Sequence, residues 1–513
     1  MAFLMKSILL ITTTAILSVT QATADITVRD VWDGLRAFYT STGFEIRATE
    51  TRLGKELRVR DLMLYKTFTE GDHKRIVQIS LSLPSLSFTK NNNGTVTIIL
   101  PKLIPIRLQV DAPDGHIFDL QIDYRQNNGI IIASGQSQEL RYNYAAETTH
   151  LETKKIIVNG FDTSVLGLKA TIKTNKVHAS TVLQENTELL FSQTLTIDKL
   201  SYIAEMLLPE VPDSTFTLSG SVTDLSFESD TKIPFTGGWH DVMTLIIEKA
   251  RFESSTTYGS ANLEFVSREN GKAGSYSANS LATSSELNLD KKYLLYSSGS
   301  SQKALSIQHD NLPFPISLTL KKLSTQFMLP LTIDTKPKAF KLRLNLNQLT
   351  ISDILWSIFN DKNILPKVPF SFILDLSGNT RTIINIFDRS AFSKLDYQNN
   401  MPLELQNVVV EKFHLSGVGA ALTATGGFEF DNNDLVTFTG IPRPTGHLEV
   451  NMDGGFALLD RLIEMELVPK AQAMGIRMML PMFTIPGNSN DVLKTLLEIT
   501  DDGHILANGK RLQ

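Results

Sequence analysis

Nine histidines, no cysteine and 54 aspartates and glutamates are the raw material for metal or acid–base chemistry in this 513-residue chain. A zinc site needs three or four ligands at short spacing, as in His-x-His or His-Glu-x-x-His, or cysteines to complete the set. The histidines here stand singly, so no zinc set is offered. Asp111, Asp114, Gly115 and Asp119 crowd together like a calcium loop, but the EF-hand ligand spacing and its closing glutamate are missing. An acidic turn accounts for them. Ser300-Ser301-Gln302-Lys303 has the Ser-x-x-Lys spacing that, on a helix, sets a lysine amine one turn from a serine nucleophile. It sits in a serine-rich stretch, and the companion Ser-Asp-Asn and Lys-Thr-Gly motifs are absent, so chance explains it. Gly54, Gly271 and Gly509 each precede Lys, but no Ser or Thr follows, which excludes a phosphate-cradling loop of the usual form. Gly417-Val418-Gly419 lacks a third glycine and lies in an alternating stretch, unlike a dinucleotide fingerprint. No catalytic, cofactor-binding or metal-binding residue is therefore assigned, and the chain is expected not to be an enzyme. A hydrolase using scattered carboxylates is the remaining enzymatic alternative.

A second kind of residue could do physical rather than covalent work. Met452, Met465, Met474, Met478, Met479 and Met482 make six of the chain's 13 methionines within one short stretch. A flexible thioether adapts to irregular apolar ligands and equally fills irregular core gaps. Met465, Met474, Met478, Met479, Met482 and Phe483 are therefore the candidate lining of an apolar groove, with ordinary core packing as the alternative.

The elements that must position them follow from periodicity. Phe456, Leu459, Leu462, Ile463 and Leu467 fall at helical spacing, and a second short helix follows Pro469, with Ala471, Met474 and Met478 on one face and Pro481 as its stop. This Met-rich helical pair lies near 455–480. Near the other end, Val28, Val31, Trp32, Leu35, Phe38 and Tyr39 form an amphipathic helix, with Thr27 and Asp30 as a capping pair and Gly43 as a stop. Between these ends the period is 2. Val77, Ile79, Leu81 and Leu83 lead through an Asn91-Asn92-Asn93-Gly94 turn to Val96, Ile98 and Leu100, a hairpin. The same alternation recurs in Leu140-Tyr142-Tyr144, Phe340-Leu342-Leu344-Leu346, Phe370-Phe372-Leu374-Leu376 and Leu448-Val450-Met452. Alternation with one apolar face and polar turns predicts antiparallel sheet. The serine-rich stretch 254–301 keeps apolar beats and is expected to form exposed hairpins.

Helices are also expected at Tyr202–Leu208 and Ile351–Phe359, each followed by a proline and then a strand ending at Gly220 or Gly378. The recurrence suggests two related halves. The fold class expected is thus mainly β (α+β), built of extended curved antiparallel sheets with a few short amphipathic helices. The halves are 25–236, with the leading helix, and 237–513, with the Met-rich pair.

Residues 1–24 read as a cleavable signal: Lys6 is the positive n-region, Ile8 to Val19 the apolar core and Ala22-Thr23-Ala24 the small-x-small cleavage pattern, with the cut before Asp25. The apolar run is about 12 residues, short of the roughly 20 needed to cross a bilayer as helix. No membrane span is expected after cleavage. The formal charge of −5 and the absence of basic clusters beyond pairs such as Lys154-Lys155 and Lys291-Lys292 argue against nucleic acid as a partner.

Leu467-Val468-Pro469, Gln472-Ala473-Met474-Gly475, Arg477-Met478-Met479-Leu480, Pro486-Gly487 and Ala507-Asn508-Gly509 resemble the ending of a family called domain of unknown function 2125. Trp356, Leu365-Pro366 and Asp375-Leu376-Ser377-Gly378 resemble its middle, and Val31-Trp32 its start. The resemblance implies an envelope protein of a Gram-negative bacterium, in the periplasm, and carries no catalytic residues to transfer. A fainter likeness to AsmA-type periplasmic β-sheet proteins implies envelope lipid traffic. The expected function is a non-catalytic protein that binds or shields an apolar, lipid-like envelope component. The alternative is a structural or interaction protein whose partner is another envelope protein.

Overall fold

A computed structural model of the chain describes residues 26–41, 43–70, 75–111, 117–162, 167–185, 188–207, 214–234, 251–384, 403–489 and 491–512. The expected signal and its cleavage point lie outside the described residues, as does the expected boundary between halves at 236/237. Among the described residues there are 25 strands, and every pairing for which a register is given is antiparallel. Strand makes up 69% and helix 11%.

The chain divides into two compact units. Unit 1 comprises residues up to Ser284 together with Gln308–Pro313, and unit 2 comprises Ser285–Ile307 with Phe314–Gln513. In unit 1, helix α1 (Val28–Ser41) leads into strands β1 (Glu45–Leu53), β2 (Glu56–Glu70), β3 (Arg75–Lys90), β4 (Val96–Ile99), β5 (Leu103–Asp111), β6 (Ile117–Asn127), β7 (Ile130–Gln136) and β8 (Glu139–Val158). Then come β9 (Phe161–Asp162), β10 (Lys169–Glu185), β11 (Glu188–Leu207), β12 (Thr215–Pro234) and β13 (Arg251–Glu269), while β14 (Lys272–Leu289) reaches the division. Most of unit 2 is β15 (Tyr293–His309), β16 (Ile316–Pro330), β17 (Lys338–Ile351), α2 (Asp353–Phe359), β18 (Phe370–Thr382), β19 (Leu403–Gly417), β20 (Ala420–Asp431) and β21 (Arg443–Asp453). It ends with α3 (Gly455–Glu464), α4 (Lys470–Phe483), β22 (Ile485–Pro486), β23 (Val492–Ile499), β24 (Ile505–Ala507) and β25 (Lys510–Arg511).

Helix α1 starts at the expected capping pair. The Asp30 carboxylate accepts from the Thr27 backbone N–H at 2.8 Å, and the Thr27 hydroxyl accepts from the Asp30 N–H at 3.1 Å, which satisfies two of the donors a helix start leaves open. Its stripe of Val28, Val31, Trp32 and Phe38 is buried against Leu57, Val59, Leu62, Leu64, Leu81, Leu83 and Phe88 of β2 and β3. The expected hairpin across Asn91–Gly94 is β3 and β4, and the serine-rich stretch is β13 to β15.

Two expectations about helices are corrected. Tyr202–Leu207 is the end of β11, with Tyr202–Glu205 paired to Lys169–Ile172 of β10 on one side and Tyr202–Leu207 paired to Thr215–Gly220 of β12 on the other. Pairing on both edges outweighs the helix preference of Ala204-Glu205-Met206-Leu207. With that helix gone, the apparent duplication loses its first copy. Pro481 does not end α4, which runs on to Phe483. The last turn keeps its carbonyls satisfied by side chains: the Thr484 hydroxyl donates to Leu480 O at 2.8 Å, and Thr495 and Asn508 donate to Phe483 O at 3.1 and 2.8 Å.

Candidate functional site

Long strands here are creased midway, and the crease determines what the sheet can hold. In unit 1, Lys176 of β10 and Asp224 of β12 have left-handed backbones (φ 46° and 51°), and Asp198 of β11 lies between them. Apolar side chains alternate up to Ile197 on β11, skip Asp198 and Lys199, and resume at Leu200. Two consecutive residues on the other face break the alternation, and both limbs keep their apolar side chains on the same face of the sheet. Asp61 of β2 (φ 52°) does the same between Val59 and Leu62. In unit 1 this face is covered: Val59 and Leu62, on either side of Asp61, share one core with Trp32 of α1.

Unit 2 repeats the crease, and among the described residues no buried hydrophobic cluster covers it. Gln302 of β15 (φ 44°) and Gln348 of β17 (φ 53°) are left-handed, and the apolar beat jumps from Leu323 to Leu320 on β16 and from Leu346 to Leu349 on β17. On one limb, directly opposed residues form apolar rows across the sheet. One row is Tyr296, Phe327, Leu342, Leu376, Val410, then Gly426, Leu448 and Leu497. The next is Leu344, Leu374, Phe413, Ala424 and Val450, and a third is Leu323, Leu346, Phe372, Leu415, Leu422, Met452 and Leu493. On the other limb stand Leu305, Leu318 and Ile351, with Leu320, Leu349 and Phe370 beside them. Eight strands at about 4.8 Å spacing give the first row a length of roughly 34 Å.

The opposite face is polar and cross-wired. Arg343 donates to Asp375 at 2.9 Å, Ser377 donates to Glu411 at 2.8 Å, and Arg381 pairs with Glu404. The apolar face is thus set inward by strand alternation, yet no apolar side chain of β17 is buried, and β16 and β18 bury only Pro330, Ser371, Thr380 and Thr382. Both buried hydrophobic clusters found among the described residues lie in unit 1.

The residues singled out from the sequence lie elsewhere. Met474, Met478, Met479 and Met482 are 57 to 72% exposed on α4, while Met465 at the end of α3 and Phe483 are half-buried. Met474, Met478, Met479 and Met482 therefore belong to no buried core. Asp119 is a buried carboxylate spent on Arg107, whose guanidinium donates at 2.9 and 2.7 Å. Asp114 and Gly115 lie outside the described residues. Ser300 and Lys303 are on an extended strand on either side of the Gln302 crease, so they lack the helical spacing that would make the lysine a base for the serine.

A smaller void of about 130 Å³ lies under α1 in unit 1, walled by Leu35, Phe38, Tyr39, Leu83, Ile104 and Leu183 among others. It falls short of the roughly 300 Å³ at which small-molecule pockets begin. Its hydroxyls are structural. Burial raises the Tyr39 phenol to about 12 and the Tyr142 phenol further, and the Tyr142 hydroxyl donates to Val31 O at 3.1 Å, tying β8 to α1.

Compared with known proteins, the chain matches no family model and no curated protein. Among the described residues no helix is long and apolar enough to cross a membrane.

Proposed function

We propose that the protein holds or shields an acyl-chain-like component of the bacterial envelope in the creased apolar trough of unit 2, without chemistry of its own. The observation that carries this reading is that rows of Leu, Phe, Val and Tyr face inward on β15 to β21 and remain only partly covered. Contiguous apolar surface of this extent is rare on a monomer unless something binds it. An alkyl chain suits a long groove lined by aliphatic and aromatic side chains, since its binding needs area rather than directed polar contacts. The resemblance of the C-terminal stretch to envelope proteins of unknown function supports the setting.

The test uses photo-crosslinking residues at two neighbouring positions. Benzoylphenylalanine at Leu344, on the apolar face, is expected to capture lipid when the protein is made in its native envelope. The same residue at Arg343, on the polar face, is not. Extraction of detergent-free protein followed by lipid mass spectrometry should return a stoichiometric acyl ligand, depleted in Leu344→Gln, Leu374→Gln. An empty extract, with no lipid adduct at Leu344, would leave the protein-interaction reading in its place.

A further inference from the structure

Helix α4 has its apolar side turned to solvent. Met474, Met478 and Met482 form one line at i, i+4, i+8, with Met479 beside it and Leu467 and Ile485 at the two ends, and each of the six is at least 54% exposed. Ala473 is the helix's one buried residue. Methionine on an exposed helix gains nothing from water, so a surface of this kind marks a contact.

Charge identifies what it meets. From Leu467 to Ser489 the chain has Lys470 and Arg477 and no acidic residue. By helical spacing both cations flank the Met474–Met478–Met482 line on the side toward Ala473, and Arg477 is steered by Asp460 of α3. A third cation stands at the far end, where Lys510 Nζ reaches Met482 O at 3.5 Å. An apolar stripe with cations along one edge and no acidic residue on its own helix is the pattern of a helix lying in a bilayer interface, its apolar side among acyl chains and its cations at anionic headgroups.

We infer that α4 docks the protein on a lipid bilayer bearing anionic headgroups. Docking does not require the trough of unit 2 to be loaded, and the two activities fail separately. The full chain should sediment with vesicles of phosphatidylglycerol and phosphatidylcholine, and less with phosphatidylcholine alone. Raised salt should weaken the binding. Met478→Asp, Met482→Asp, both at exposed positions, should lower vesicle affinity about tenfold or more, and Lys470→Glu should lower it on anionic vesicles only. Leu344→Gln, Leu374→Gln should bind vesicles as the unaltered chain does. The inference is overturned if the unaltered chain sediments with neither vesicle, or if the methionine variant binds like it. Retention of a protein partner on α4 without vesicle binding would equally overturn it.

Discussion

Glu50 on β1 organises the docking of α1 through one carboxylate. It accepts from the Trp32 indole N–H at 2.7 Å, from Arg29 at 2.6 Å and from Arg36 at 3.3 Å. Partial burial works against its charge, but the indole and the two guanidiniums prevail and hold it below the usual glutamate range. A carboxylate whose folded pKa is depressed contributes stability above its unfolded value and loses it as pH falls through the folded one. Acid should therefore loosen α1 below about pH 4.5, and Glu50→Ala should cost about 1–3 kcal/mol by stranding the Trp32 N–H, both read by urea unfolding followed through tryptophan emission. An unchanged midpoint would show that Trp32 packing alone holds the helix. Lys66 has the opposite sign. It is buried beside Phe44, and desolvation lowers it to about 8 from 10.5. Between these values the unfolded chain binds the extra proton, so stability should rise with pH across that window and the rise should vanish in Lys66→Met. Trp32 and its stripe were legible from spacing. Glu50 was not, because its partners are 14 to 21 residues away and its strand reads as alternating charge.

At the scale of elements, the crease explains why alternation was easy to see and its meaning was not. Strand identity follows from period 2, but the shape depends on the one place where the beat skips to 3, as from Leu346 to Leu349. The left-handed residues there are Lys, Asp and Gln, not the glycines that usually advertise such a backbone. The sheet supports them locally: at Gln348 the backbone N–H, which leaves the ladder, donates to the Ser371 hydroxyl at 3.0 Å. Gln348→Val should destabilise by about 1–2 kcal/mol because a β-branched side chain resists φ 53°, whereas Gln348→Gly should be neutral or stabilising. Equal effects of the two in thermal unfolding would mean that the crease is not set at this residue. The Met-rich helices were legible as helices, and their direction was not. Periodicity shows that a helix has an apolar face, and only the packing of Ala473 shows that this face points away from the protein.

For the molecule as a whole, apolar burial is distributed unevenly between the units. Buried side chains stabilise by roughly 25 cal/mol per Å² removed from water, and the two cores that collect this benefit, around Trp32 and around Tyr144, belong to unit 1. Unit 2 relies on ladder hydrogen bonds, cross-strand pairs such as Tyr296 on Phe327 at 5.2 Å, and ion pairs on its polar face. Cross-strand pairs contribute only about 0.2–1 kcal/mol each, and the apolar side chains of β16 to β18 are partly covered rather than fully buried. An alkyl ligand bound to this face would add apolar contacts, and a ligand that binds only the folded state stabilises it by about 2.7 kcal/mol at 100 times its dissociation constant. Hydrogen exchange should therefore show unit 2 opening before unit 1 in delipidated protein. Adding back the extracted lipid should slow exchange on β16 to β19 and leave the α1 core of unit 1 unchanged. If both units exchange alike without lipid, or lipid protects neither strand set, the trough is not what completes unit 2.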